Sequence, residues 1–144
     1  PVTLHPEFID GDALAAGARL AQALLAAPAG EVQVWGGETT LKLPLHPGRG
    51  GRNQSLALAA VLALRGHENV WFLSAGTDGT DGPTLDAGAL VDGGTIVRGE
   101  AEGIAARQAL ATADAGNFLA ASGDLLQTGP TGTNVMDLML GLRA

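Results

Sequence analysis

Cysteine and tyrosine are both absent from these 144 residues. Without cysteine there is no disulfide framework, no thiolate metal site and no thiol nucleophile. Two tryptophans and three phenylalanines are the whole aromatic content, so no stacking platform for nucleic acid can be assembled. Positive charge is scarce as well: eight Lys and Arg against fifteen Asp and Glu give a net charge of −7, which repels nucleic acid and anionic lipid at long range. An anionic ligand must therefore be held by local chemistry. No run of 18 apolar residues occurs, which excludes a membrane-spanning helix. Nothing at the start reads as a signal peptide, and a cytoplasmic location is the expectation. The first residue is Pro1 rather than Met, which points to a piece of a larger protein.

Apolar residues make up 46% and charged residues 16%, and 144 residues suffice for one domain with a sizeable core. Asp12 before a 3.6-residue stripe of Leu14, Ala18, Ala21 and Leu25, stopping before Pro28, predicts a first helix. Alternation over 31–35, the turn residues Gly36-Gly37, and a second run over 39–43 predict a hairpin. The polar lead-in before residue 11 is assigned no element. Residues 56–64 are apolar all round and read as a buried helix. Val70-Trp71-Phe72-Leu73 has the composition of a central strand covered on both faces, and Trp35 and Trp71 are both expected in the core. A short strand and turn over 88–94, a helix over 101–113, a helical turn over 117–121, and strands over 125–128 and 135–140, which flank the last glycine loop as a second hairpin, complete the reading. Strands interleaved with helices indicate an α/β layered domain with a mixed sheet.

The chemistry is gathered into glycine-punctuated loops between these elements, the layout of a binding site on a packed scaffold. In Gly48-Arg49-Gly50-Gly51-Arg52-Asn53-Gln54, backbone N–H groups open onto a helix start that favours negative charge, and Arg49 and Arg52 add forked donors for phosphate or carboxylate. The alternative is a flexible turn with solvated arginines. The segment is neither a Walker A loop nor a dinucleotide fingerprint. In Ser74-Ala75-Gly76-Thr77-Asp78-Gly79-Thr80-Asp81-Gly82-Pro83-Thr84, just beyond a strand, Asp78 and Asp81 are candidates for holding Mg²⁺ or taking a proton from a hydroxyl, with Thr77 among further oxygen ligands. The alternative is that these aspartates only form turns. The loop Thr131-Gly132-Thr133-Asn134 suits hydroxyl or phosphate recognition, although a tight turn would look similar. Glu38 reads as a base at a loop apex or a solvated turn residue, and His5, His46 and His67 share no metal-ligand spacing.

Taken together and in order, Gly36-Gly37-Glu38-Thr39-Thr40, Gly50-Gly51-Arg52-Asn53-Gln54, Ala75-Gly76-Thr77-Asp78-Gly79, Asp81-Gly82-Pro83-Thr84, Gly123-Asp124-Leu125 and Thr128-Gly129-Pro130-Thr131-Gly132-Thr133-Asn134-Val135 resemble the carboxy-terminal MOFRL domain of the glycerate 2-kinase family, members of which are also called hydroxypyruvate reductase. The resemblance spans residues 35–140 and implies a three-layer α/β/α sandwich with a mixed sheet, forming one wall of a cleft. A Rossmann-like amino-terminal domain of the same protein, carrying a catalytic lysine, is implied as the other wall; Lys42, the one lysine here, is no substitute. The implied reaction is phosphorylation of D-glycerate with ATP and Mg²⁺, and a homodimer is compatible with it. Within that frame Arg52, Asp78 and Asp81 are the catalytic candidates, with Asp78 and Asp81 also the metal candidates. Gly50, Gly51, Asn53, Thr77, Thr131, Gly132, Thr133 and Asn134 are those for substrate or phosphate. The competing readings are a non-catalytic binding or interaction module and, less well supported, a reductase. One departure is that Leu85-Asp86 follows Gly-Pro-Thr where the family usually has Asp directly.

Overall fold

A computed structural model describes residues 1–144. The chain order is β1 (Val2–Ile9), α1 (Ala13–Ala26), β2 (Glu31–Gly37), α2 (Arg52–Leu64), β3 (Val70–Gly76), β4 (Gly88–Asp92), α3 (Thr95–Ala101), α4 (Ala106–Ala111), α5 (Ala115–Ser122), β5 (Leu125–Leu126) and β6 (Asp137–Arg143). The six strands form one sheet in the order β1-β2-β6-β3-β4-β5. β1 and β2 are parallel and every other pair is antiparallel, so the sheet is mixed, as expected.

Local chemistry accounts for the first helix. The Asp12 carboxylate accepts a hydrogen bond from the Ala15 N–H at 2.9 Å, capping α1, and Pro28 forbids continuation past Ala27. α1 then packs on α2 through small residues. A Cβ on Gly17 would collide with the Leu56 carbonyl and lie 3.0 Å from the Ala59 Cβ, so only glycine admits this approach. One continuous cluster of 24 buried residues joins these helices to α3, α4, α5 and one face of the sheet, with Phe72, Phe118, Leu56 and Leu20 at its centre.

Several sequence expectations are corrected. Residues 2–9 form a strand, an edge strand whose pairing register shifts between Leu4 and Phe8, around Pro6. An edge is where a residue without an N–H is tolerated. Residues 39–43 do not pair with β2 as a hairpin; only an isolated bridge between Asp12 and Thr40 forms there, because β2 takes β1 and β6 as neighbours instead. The segment 101–113 is not one helix but the end of α3 and all of α4, separated by a turn at Glu102-Gly103. β5 and β6 are not neighbours, since β6 inserts between β2 and β3.

The α/β class holds, and the helices all gather over one face, so residues 1–144 supply two of the three layers expected. Trp35 lies on the covered side, 2% exposed and stacked on His5 with ring centroids 4.7 Å apart. Trp71 is not core: it is 38% exposed on the uncovered side, and β3 is central but covered on one face.

Candidate functional site

The insertion of β6 between β2 and β3 creates the site. β6 is antiparallel to both, so its first residue, Asp137, pairs with Gly37 and with Gly76 at their carboxyl ends. Three of the glycine loops leave the sheet side by side at that point, and α2 begins above them. The four segments thus converge on one end of the domain.

Arg52 is the first residue of α2 and its guanidinium grips Asp137 side-on. Nε donates to Asp137 Oδ2 at 2.6 Å and Nη2 to Oδ1 at 2.9 Å, with Nη2 also 3.4 Å from Glu38. Asp137 is 2% exposed, whereas the Arg52 side chain keeps a third of its surface open. The hydrogen bonds that Arg52 donates to Asp137 raise the Arg52 pKa, against the opposing influence of burial. Nη1 makes no hydrogen bond in the chain. The fork is thereby fixed in place with one arm free, beside a cleft of about 450 Å³ lined by Glu38, Thr39, Gly50, Gly51, Arg52 and Pro83 among others. Thr39 is 2% exposed and its hydroxyl has no partner in the chain.

Asp81 does something different from Asp78. Gly51 provides no side-chain cap for α2; Asp81 reaches in from the neighbouring loop and accepts from the N–H groups of Asn53 at 2.9 Å and Gln54 at 2.8 Å. The approach depends on glycine, because a Cβ at Gly51 would lie 2.5 Å from the Asp81 backbone. Burial pushes the Asp81 carboxyl up from its ordinary value, more than the hydrogen bonds from Asn53 and Gln54 bring it down. Asn53 is buried, donating to Asp81 at 3.3 Å and accepting from Ser74 Oγ at 2.7 Å, so it braces the loop rather than facing a ligand. Asp78 closes its own turn, accepting from Thr80 N–H at 2.9 Å.

Thr77 and Thr131 lock two loops together. Thr77 Oγ1 donates to the Met136 carbonyl at 2.7 Å, and Thr131 Oγ1 donates to the Thr77 carbonyl at 2.5 Å. Asn134 Oδ1 accepts from the Met136 N–H, and Gly132 and Thr133 stand at the exposed tip. Asp86 is fully buried, receiving Arg49 Nη2 at 2.6 Å and Gln127 Nε2 at 2.9 Å, while Leu85 is 83% exposed. The shifted acid is thus an anchor between loops.

Asp78 and Asp81 serve different partners, and no group of three or more His, Cys, Asp or Glu side chains that could hold a metal ion is formed. The start of α2 is likewise already occupied by the Asp81 carboxylate. Asp137 was not foreseen, although a lone acid in the apolar run 135–140 was a visible signal.

Comparison with known proteins places this geometry in a family. The MOFRL family model matches residues 31–137. A D-glycerate 2-kinase from Thermotoga maritima is 54% identical over 109 residues, covering 76% of this chain and 26% of that protein. A protein from Agrobacterium vitis named for hydroxypyruvate reductase activity is 43% identical over 115 residues, 79% of this chain and 26% of its own length. The crystal structure of a glycerate kinase from Thermotoga maritima superposes with a TM-score of 0.95 at 43% identity, covering 99% of this chain and 36% of that one. The chain therefore spans about a quarter to a third of the length of these relatives, and it belongs to the MOFRL family.

Proposed function

We propose that this chain is the carboxy-terminal part of an ATP-dependent glycerate 2-kinase and supplies one wall of an interdomain cleft in which D-glycerate is converted to 2-phosphoglycerate. The observation that carries this reading is Arg52, pinned by buried Asp137 with Nη1 free at the cleft. In the transfer, the C2 hydroxyl oxygen of glycerate bonds to the γ-phosphorus of ATP, the bond to the ADP oxygen breaks, and the hydroxyl proton leaves to a base. Catalysis of this kind is positioning and charge neutralisation. Arg52 Nη1 meets the transferring phosphoryl group, and the side-on pair with Asp137 holds it there without reorganisation. Glu38, which lines the same cleft and keeps one carboxylate oxygen free of donors, takes the proton. Polypeptide outside these residues completes the site for the nucleotide and its divalent ion.

The test uses the complete natural protein. Arg52→Ala should lower kcat/KM by about 10²–10³, the usual loss of a preorganised charge-stabilising donor. Arg52→Lys should recover little, because a point charge reproduces neither the grip on Asp137 nor the free arm. Arg65, paired with Glu100 at the exposed far end of α2, is the control. Near-normal kinetics for a folded Arg52→Ala enzyme would remove the phosphoryl-holding role, and NADH oxidation with hydroxypyruvate in place of ADP release would favour the reductase reading.

A further inference from the structure

Arg49 does not line the cleft, but it immediately precedes Gly50, Gly51 and Arg52, which do. It is gripped at three points. Its N–H donates to Asp114 Oδ1 at 2.8 Å, its carbonyl accepts from the Gly116 N–H at 2.8 Å, and its Nη2 donates to Asp86 Oδ2 at 2.6 Å. Between this grip and Arg52 stand two glycines with no side chains to fix the turn, and Gly50 has φ +134°, a conformation that other residues rarely adopt. Asp86 is fully buried, and its other oxygen accepts from Gln127 Nε2 at 2.9 Å, at the root of the loop that leads to Asp137. One buried carboxylate thus ties together the approaches to both members of the Arg52–Asp137 pair.

We propose that Arg49 and Asp86 are positioning residues for phosphoryl transfer: they fix the approaches to Arg52 and Asp137, and so hold Arg52 Nη1 where charge develops, without touching substrate themselves. This rests on the phosphotransfer reading above. Stability alone is a weak reason for such a pair, because the Arg49 side chain is 43% exposed and apolar groups of similar volume would fill the buried space as well. What a hydrogen-bonded ion pair adds is a fixed geometry, and here it is applied next to a turn that has no other side chains to hold it. The link from Arg49 to Asp86 is a single hydrogen bond, whereas Arg52 meets Asp137 side-on through two. An ammonium group can therefore replace the guanidinium at position 49, and not at position 52.

The experiment measures steady-state kinetics and urea midpoints of the complete natural protein. Arg49→Met combined with Asp86→Leu exchanges the pair for apolar groups and should keep the urea midpoint close to that of the unsubstituted protein. Its kcat should nevertheless fall about 10- to 100-fold, with KM for D-glycerate changed less than about threefold, because what is lost is alignment in the transition state. Arg49→Lys should keep kcat within about threefold of the unsubstituted protein. Arg98→Ala, which breaks the ion pairs to Asp92 and Asp124 beyond the far end of β4, is the comparator and should lower the urea midpoint without lowering kcat. Unchanged kcat in the folded double variant would make the pair an ordinary loop anchor. A rise in KM at constant kcat would make Arg49 a substrate contact, and a kcat that Arg49→Lys does not preserve would mean that the fork itself is used; each of these overturns the inference. Should the double variant fail to fold, Asp86→Asn decides, since it keeps the volume but cannot accept from both Arg49 and Gln127: a fall in kcat of about tenfold upholds the inference and unchanged kcat defeats it. A complete protein that does not phosphorylate D-glycerate at all would defeat the kinase reading itself, separately from any comparison among variants.

Discussion

At the scale of single residues, Arg52 and Asp137 act as one unit. Removing the guanidinium would leave Asp137 buried without its hydrogen-bond partner, and Arg52 cannot hold its orientation without Asp137. In the complete enzyme Asp137→Ala should therefore lower kcat/KM by about 10- to 100-fold, the usual effect of removing an orienting partner. The double variant with Arg52→Ala should be little worse than Arg52→Ala alone, because the carboxylate works through the arginine. Steady-state kinetics of the three variants decide it, and fully additive losses would mean that Asp137 touches substrate independently. How far this pair was legible follows from its chemistry. Arg52 stands out beside Gly50-Gly51 because glycine-rich helix starts announce anion sites, but its partner is 85 residues away. Only the topology that inserts β6 between β2 and β3 brings them together. The same holds for Asp81, whose spacing from Asp78 suggested a shared metal, whereas its partners lie on α2, which spacing alone does not reveal.

Among the elements, α2 shows how a helix without a capping side chain of its own is fixed by a loop 28 residues away. The Asp81 carboxylate satisfies two first-turn N–H groups and sits where the helix dipole favours negative charge. Burial nevertheless holds its pKa above the ordinary 3.8. In the unfolded chain the group titrates at that ordinary value, so between it and the raised one the folded state binds the extra proton. Stability from this ionisation is therefore greatest below pH 3.8 and declines as pH rises through the raised value, levelling off above it. Asp81→Asn removes the titration. Urea midpoints measured across pH for both proteins should show the difference, wild type minus variant, falling with rising pH; a rising difference would mean that the hydrogen bonds outweigh burial. Other elements were easier to foresee. α1 is delimited by Asp12 and Pro28, both adjacent in sequence to the turns they control. β1 was not, because Pro6 interrupts its alternation and its strand partner β2 lies beyond a whole helix. Trp71 read as core for a related reason: its strand is apolar on both faces, and nothing in the sequence tells that only one of them meets a helix of this chain.

Across the whole molecule, the helices and the convergent loops divide the work: the cluster around Phe72 and Phe118 holds the fold, and one end of the sheet presents Arg52 and Glu38 to an open cleft. A cleft with one wall positions half of a bimolecular reaction. Alignment of two reactants in a closed site accounts for about 7–11 kcal/mol of a barrier, and at about 1.36 kcal/mol per factor of ten its loss removes several orders of magnitude in rate. Residues 1–144 alone should therefore unfold cooperatively and yet release no ADP above background from ATP, Mg²⁺ and D-glycerate, while the complete protein turns over. Adding the remaining polypeptide as a separate chain should restore part of the activity, in proportion to its concentration, because docking then becomes the limiting step. Circular dichroism through a urea titration establishes that the fold is present before the assay is read. Sustained turnover by the folded 144-residue chain would place the complete phosphotransfer site within these loops and overturn the two-wall arrangement.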